Sequence, residues 1–206
     1  FIDACQKAGV EPNIVKRDLE ALLDADTRGE TDHAARTLSE LIDDILDTHH
    51  RFTYNELDRL QPLMDKVNRV HGDTHPELAQ MSDLLDAMRN DLLPHMFKEE
   101  QVLFPYIKDL ESAKLNGMTP RYPPFGTVQH PIRMMMGEHD AVGDMLKEMR
   151  SLSGDFAVPK GACPSYQGLL TRLEELERDL HQHIHLENNV LFPRAAEMEA
   201  AAFRSH

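Results

Sequence analysis

The stretches DLLPHMFKEEQVLFP, Asp91 to Pro105, and DLHQHIHLENNVLFP, Asp179 to Pro193, share one pattern: D-x-x-x-H-x-x-x-E-x-x-V-L-F-P. They lie 88 residues apart, and the match is too long to arise by chance. On an α-helix, residues i and i+4 share a face about one turn apart. His95 therefore points the same way as Glu99, and His183 the same way as Glu187.

Two further histidines extend the repeat. His50 precedes His95 by 45 residues, and His139 precedes His183 by 44. The repeating unit is thus a helical hairpin. Its first helix gives one histidine and its second gives one H-x-x-x-E pair. The first hairpin turns near Thr74, so antiparallel packing brings His50 and His95 to nearly the same level. The second pair matches within a turn or two.

Helical periodicity fills in the rest. Helices are expected over 37–71, 74–114, 131–152 and 164–202. Thr37 with Glu40, and Thr74 with Glu77, have capping-box spacing. Gly72 suits a helix end, and Pro62 and Pro94 suit kinks. Residues 115–130, rich in Pro and Gly, form the longest connection. No stretch alternates with a period of two, so no strand is expected. The fold class is all-α: an antiparallel up-down-up-down four-helix bundle over residues 37–206. Ahead of it, 1–26 read as two short helices broken between Gly9 and Pro12, and 27–36 as a polar linker.

In such a bundle six side chains converge on one layer of the core: His50, His95, Glu99, His139, His183 and Glu187. Burying two unpaired carboxylates is strongly unfavourable, and a pair of cations removes that cost. If both glutamates bridge, each metal receives two imidazoles and two carboxylate oxygens. An oxo or hydroxo bridge adds a fifth donor, and a sixth position stays open. Nitrogen and carboxylate donors suit iron, manganese or zinc. Zinc usually stops at four ligands and has no redox chemistry, so two non-haem irons are the expected cofactor. Asp91 and Asp179, one turn before the ligand histidines, are candidates to accept their outer N–H groups. Glu138, next to His139, is a candidate to line an access path. Tyr54 reads as core packing. His49 points roughly 100° away from His50, and His181 and His185 read as exposed. His71, 21 residues past His50, lies too far along its helix to join the centre.

Bulk properties exclude some function classes. The 206 residues carry a formal net charge of -14, which disfavours binding to a phosphate backbone. No apolar run is long enough to span a bilayer, and no signal peptide is visible, although the chain begins at Phe1 rather than Met. Cys5 and Cys163 are far apart and not in metal-binding spacing, which fits a reducing cytoplasm. No nucleic-acid or membrane partner is expected.

H-M-F-K-E-E-Q-V-L-F-P (95–105), E-H-D (138–140) and H-I-H-L-E-N-N-V-L-F-P-R-A (183–195) resemble the iron–sulfur cluster repair di-iron proteins, the RIC family, within the hemerythrin-like group. V-N-R-V-H-G (67–72) and A-C-P-S (162–165) match its pattern too, and the resemblance runs from about Leu38 to Ala195. It implies that the same six residues ligate a di-iron centre, with Glu99 and Glu187 bridging. It also implies repair of clusters damaged by nitric oxide or peroxide, with damaged or apo iron–sulfur proteins as partners. Binding or sensing of O2 or NO, or reduction of NO, fits the same ligands. Oxygen-carrying hemerythrins typically add H-x-x-x-H on the third helix, where this chain has Gly143. Residues 1–26 resemble the tail of the family's N-terminal module, whose Cys-Cys pair would fall just before Phe1.

Overall fold

A computed structural model describes residues 35–204. Segments Leu38–Asp44, Ile45–His50 and Arg51–His71 run on as one helix, α1. Glu77–Lys98, Glu99–Leu103 and Phe104–Leu115 form α2. Gln129–Leu152 is α3. Pro164–Leu186, Glu187–Leu191 and Phe192–Arg204 form α4. The compact unit that they build begins at Leu38. No strand occurs among the described residues. The helices expected over 1–26 and most of the 27–36 linker lie outside the described residues.

Three of these helices contain one π-helical turn: Ile45–His50, Glu99–Leu103 and Glu187–Leu191. Each begins or ends on one of the six convergent residues. Such turns cluster at functional sites, because the extra residue re-aims the side chains around it. The V-L-F-P motif contributes to two of them. Pro105 and Pro193 lack the N–H that an unbroken α-ladder would use, and the ladder changes register just before each. Pro62 and Pro94 lie inside their helices.

Helix α1 packs against α2 and α4, and α2 packs against α3. Arg150 of α3 bonds Glu177 of α4, tying the remaining pair. The apolar core is in two parts. One is built on Leu57–Val67, Leu78–Met96, Val142–Met149 and Tyr166–Leu180. The other is built on Leu38–Ile45, Leu103–Ile107, Ile132–Met135 and Leu186–Ala195. In α1 and α3 the expected ligand lies between the two parts, in α2 and α4 the H-x-x-x-E pair spans their junction, and the order of the parts reverses from one helix to the next. The antiparallel bundle therefore sandwiches one polar layer between two apolar plugs.

Helix starts also draw on carboxylates from distant segments, and one expected cap is not made. Leu38 N and Ser39 N donate to Glu111 Oε1 and Oε2 at 2.7 and 2.9 Å, so α1 begins on a carboxylate from α2. Glu199 accepts from Val128 N just ahead of α3, and from Tyr106. Thr74 does not cap α2. Its hydroxyl donates back to the His71 carbonyl, and Glu77 accepts from His75. Helix α2 starts at Glu77, too late for Thr74 to reach its first-turn amides.

Candidate metal centre

The six expected residues meet. His50, Glu99, His183 and Glu187 form one cluster, and His95, Glu99, His139 and Glu187 form the other. In each, the donor atoms lie within 4.8 Å of one another. Both carboxylates belong to both clusters, and Glu99 and Glu187 are 0 % exposed. Glu187 directs Oε1 to His183 Nε2 and Oε2 to His139 Nε2, each at 3.1 Å. Glu99 sets one oxygen, Oε2, 3.5 Å from His50 Nε2 and 3.4 Å from His95 Nε2.

The outer face of the imidazoles fixes their tautomers. His50 Nδ1–H donates to Glu100 at 2.9 Å, His95 Nδ1–H to Glu138 at 2.8 Å, and His139 Nδ1–H to Asn188 Oδ1 at 3.0 Å. Their Nε2 atoms then present lone pairs inward. Yet His50 Nε2 faces His183 Nε2 at 3.2 Å, and His139 Nε2 faces His95 Nε2 at 3.0 Å. The lone pairs that His95 and His139 turn toward each other repel. Both oxygens of Glu99 are also buried without a hydrogen-bond donor. A cation on each side resolves both conflicts. Bonds of about 2.1 Å at right angles set adjacent nitrogens ~3 Å apart, as found. The donor set fits cations.

Burial, and then Glu187, raise the Glu99 carboxyl well above its usual range. Burial opposes the charge on Glu187 as well, but His183 and His139 outweigh it and hold that carboxyl low. Burial, and next His139, lower His95 to about 4, so its imidazole is neutral and free to donate electrons at neutral pH.

The surrounding residues depart from expectation in part. Glu138, expected from the sequence to line an access path, bonds both His95 and Lys98. Asp91 is exposed on the outer face of α2. Asp179 accepts from His49 at 3.0 Å rather than from a convergent histidine. His49 is buried and stacks on His183, with centroids 5.5 Å apart and planes within 4°. It belongs to neither cluster. The Tyr54 hydroxyl donates to Glu100 at 3.3 Å, and burial, then Glu100, push its pKa up to about 12. The tyrosine thus serves the centre's rim as well as the core. His181 is exposed and His185 pairs with Asn189.

Sequence reasoning missed Glu100 and Asn188. They occupy equivalent positions in the repeat, each directly after a shared glutamate. On a regular helical wheel they point away from the histidine five residues earlier. The π turn that begins at each glutamate alters that phase. The repeat itself was the usable signal, since both carry a side-chain oxygen able to accept from an imidazole.

Two clefts border the layer. One, of about 290 Å³, is mostly apolar, with Ile132, Met136, Asn188, Phe192 and Ala196 in its wall. The other, of about 360 Å³, is polar and includes Glu175, Arg178 and Asp179.

Comparison with known proteins gives consistent results. The hemerythrin HHE cation binding domain matches residues 41–195. The iron-sulfur cluster repair protein YtfE of Yersinia pseudotuberculosis serotype O:1b (strain IP 31758) is 34 % identical over 195 residues, covering 95 % of this chain and 82 % of the relative. The protein of the same name from Yersinia pestis (strain Pestoides F) gives the same identity and coverage.

Proposed function

The chain belongs to the hemerythrin HHE cation binding family, in its iron–sulfur cluster repair branch, and from that premise we propose that it is a di-iron protein that repairs iron–sulfur clusters damaged by nitrosative or oxidative stress. Its clients are damaged or apo iron–sulfur proteins. Its small-molecule partners are nitric oxide, oxygen or peroxide. Its compartment is the cytoplasm, as its sparse and distant cysteines suggest. Among the described residues no helix is long and apolar enough to cross a membrane.

One observation carries the reading: Glu99 and Glu187 are common to two buried four-residue clusters. We assign His50 and His183 to one iron, His95 and His139 to the other, and both glutamates to the bridge. The split of the Glu187 oxygens between His183 and His139 supports that assignment. Two bound irons would supply exchangeable metal and one-electron chemistry at a single place.

The chain's own residues set the conditions. Glu100, Glu138 and Asn188 hold three imidazoles in the tautomer that presents Nε2 inward. Such outer partners raise ligand basicity and fix ring orientation. The two apolar plugs exclude water from either end of the layer. The apolar cleft at Asn188 suits a small neutral molecule. Gly143, four residues after His139, offers no fifth imidazole, so fewer protein donors hold the metals than in an oxygen carrier. That deficit favours iron that can leave over reversible gas binding.

The test is transfer. Iron-loaded protein is incubated with an apo iron–sulfur protein, sulfide and reductant. Cluster reconstitution should match iron lost from this chain. Retention of iron, with reconstitution no faster than from free buffer, refutes repair by donation. Reversible oxygen binding without iron loss would instead identify a carrier, and multiple-turnover consumption of nitric oxide an enzyme.

A further inference from the structure

At the end of the bundle away from the metal layer, three elements bring a thiol and two imidazoles together. Cys163 is the residue just before the first turn of α4. His71 is the last residue of α1, and His75 lies in the α1–α2 turn. His71 Nε2 is 3.1 Å from Cys163 Sγ. The His71 ring lies 5.3 Å from Tyr166 and 6.3 Å from His75, and His75 lies 5.3 Å from Tyr166. Glu77 accepts from His75 Nδ1 at 2.8 Å. His71 stands 21 residues beyond His50, roughly 30 Å along the helix, so this cluster takes no part in holding the metals.

The arrangement is that of an activated thiol. A cysteine at a helix N-terminus with a histidine in contact is held as thiolate. Here the His71 contact, and next the backbone N–H of Tyr166, lower the thiol from its ordinary 9.0 to about 7. The charged and titratable groups around it are His71 from α1, His75 from the turn, Glu77 from α2 and Tyr166 from α4. Cys163 is half-buried and packs against the edge of the core.

We propose that Cys163 is a hydroperoxide-reactive thiol, with His71 as the residue that holds its thiolate and protonates the departing oxygen. The thiolate sulfur attacks one oxygen of hydrogen peroxide. An S–O bond forms and the O–O bond breaks. Sulfur is oxidised by two electrons, and the peroxide is reduced. The leaving oxygen takes the Nε2 proton of His71 and departs as water. Cysteine sulfenic acid and neutral imidazole remain, and a thiol can return the sulfenic acid to the free cysteine. The reaction needs no metal, so its success or failure is separate from that of the repair assignment.

The test uses the full-length metal-loaded protein and the His71→Gln variant, matched for metal content and thermal midpoint. Alkylation by iodoacetamide is followed against pH at the Cys163 peptide, resolved by mass spectrometry from the Cys5 peptide. The wild type should show a midpoint near pH 7. Without His71 the midpoint should rise toward 9, and the rate at pH 7 should fall about sixfold, since lost thiolate outweighs the greater nucleophilicity of a more basic thiol. A pulse of hydrogen peroxide with a 1,3-dione trap should label Cys163 in the wild type and label it more slowly in His71→Gln. A wild-type midpoint already near 9 overturns the proposal and does not depend on the variant folding. So does an unchanged midpoint in the variant, or a mixed disulfide with glutathione disulfide in the absence of any dione adduct.

Discussion

Replacing Glu99 by leucine should move the metal-free and metal-loaded proteins in opposite directions. Glu99 is fully buried, and neither of its oxygens meets a donor. Burial and Glu187 raise its pKa, and a carboxyl whose folded pKa is raised destabilises the fold above its unfolded value. Leucine removes that penalty and joins buried Met96 and Leu103 on α2. Replacing buried ionic groups by apolar ones stabilises by about 1–4 kcal/mol. A gain of about 2 kcal/mol raises Tm by ~6 °C in a domain of this size. The loaded protein loses instead. Each cation held at a hundredfold excess over its Kd contributes about 2.7 kcal/mol, and Glu99 serves both clusters. The loaded variant should melt ~10 °C or more below the loaded wild type. Calorimetry on chelated and reloaded samples, with elemental analysis of each, reads both effects. Equal losses in both forms, or two metals retained per chain, would refute the bridging assignment and the reasoning behind it.

Two further outcomes follow from contacts around the layer. Glu100→Ala and Asn188→Ala remove the acceptors for His50 and His139, and each should weaken metal binding by roughly 10- to 100-fold in competition with a chromophoric chelator; exposed Asp91→Asn should change it little. Glu111→Gln weakens the bonds that begin α1 and should cost about 1.5 kcal/mol at pH 7. Burial raises the Glu111 carboxyl, but the Ser39 hydroxyl and the Leu38 and Ser39 amides outweigh it and hold it below its ordinary 4.5. Its contribution is therefore present above pH 4.5 and lost as pH falls through the lower folded value. Urea melts of wild type and variant should separate at pH 7 and converge in stronger acid.

The sequence alone determined the four helices, their antiparallel order and the six side chains that face one another. Those features follow from periodicity and duplication. His95–Glu99 and His183–Glu187 share a helix face at any tertiary arrangement, and a hairpin repeated at 88 residues must repeat its levels. Tertiary structure alone decided what stands behind the ligands. Asp91 shares the helical face of His95 on a regular wheel, yet Glu138 from α3 reaches that imidazole. Glu100 and Asn188 look misdirected on a wheel of 3.6 residues per turn and are brought round by π turns. His49 is buried against His183, and His71 meets Cys163 across 92 residues. The physical reason is common to all of them. Period and spacing report the direction of a side chain from its own helix. Partners on other helices depend on the local register of the backbone and on which neighbour packs alongside, and both are fixed only when the bundle closes.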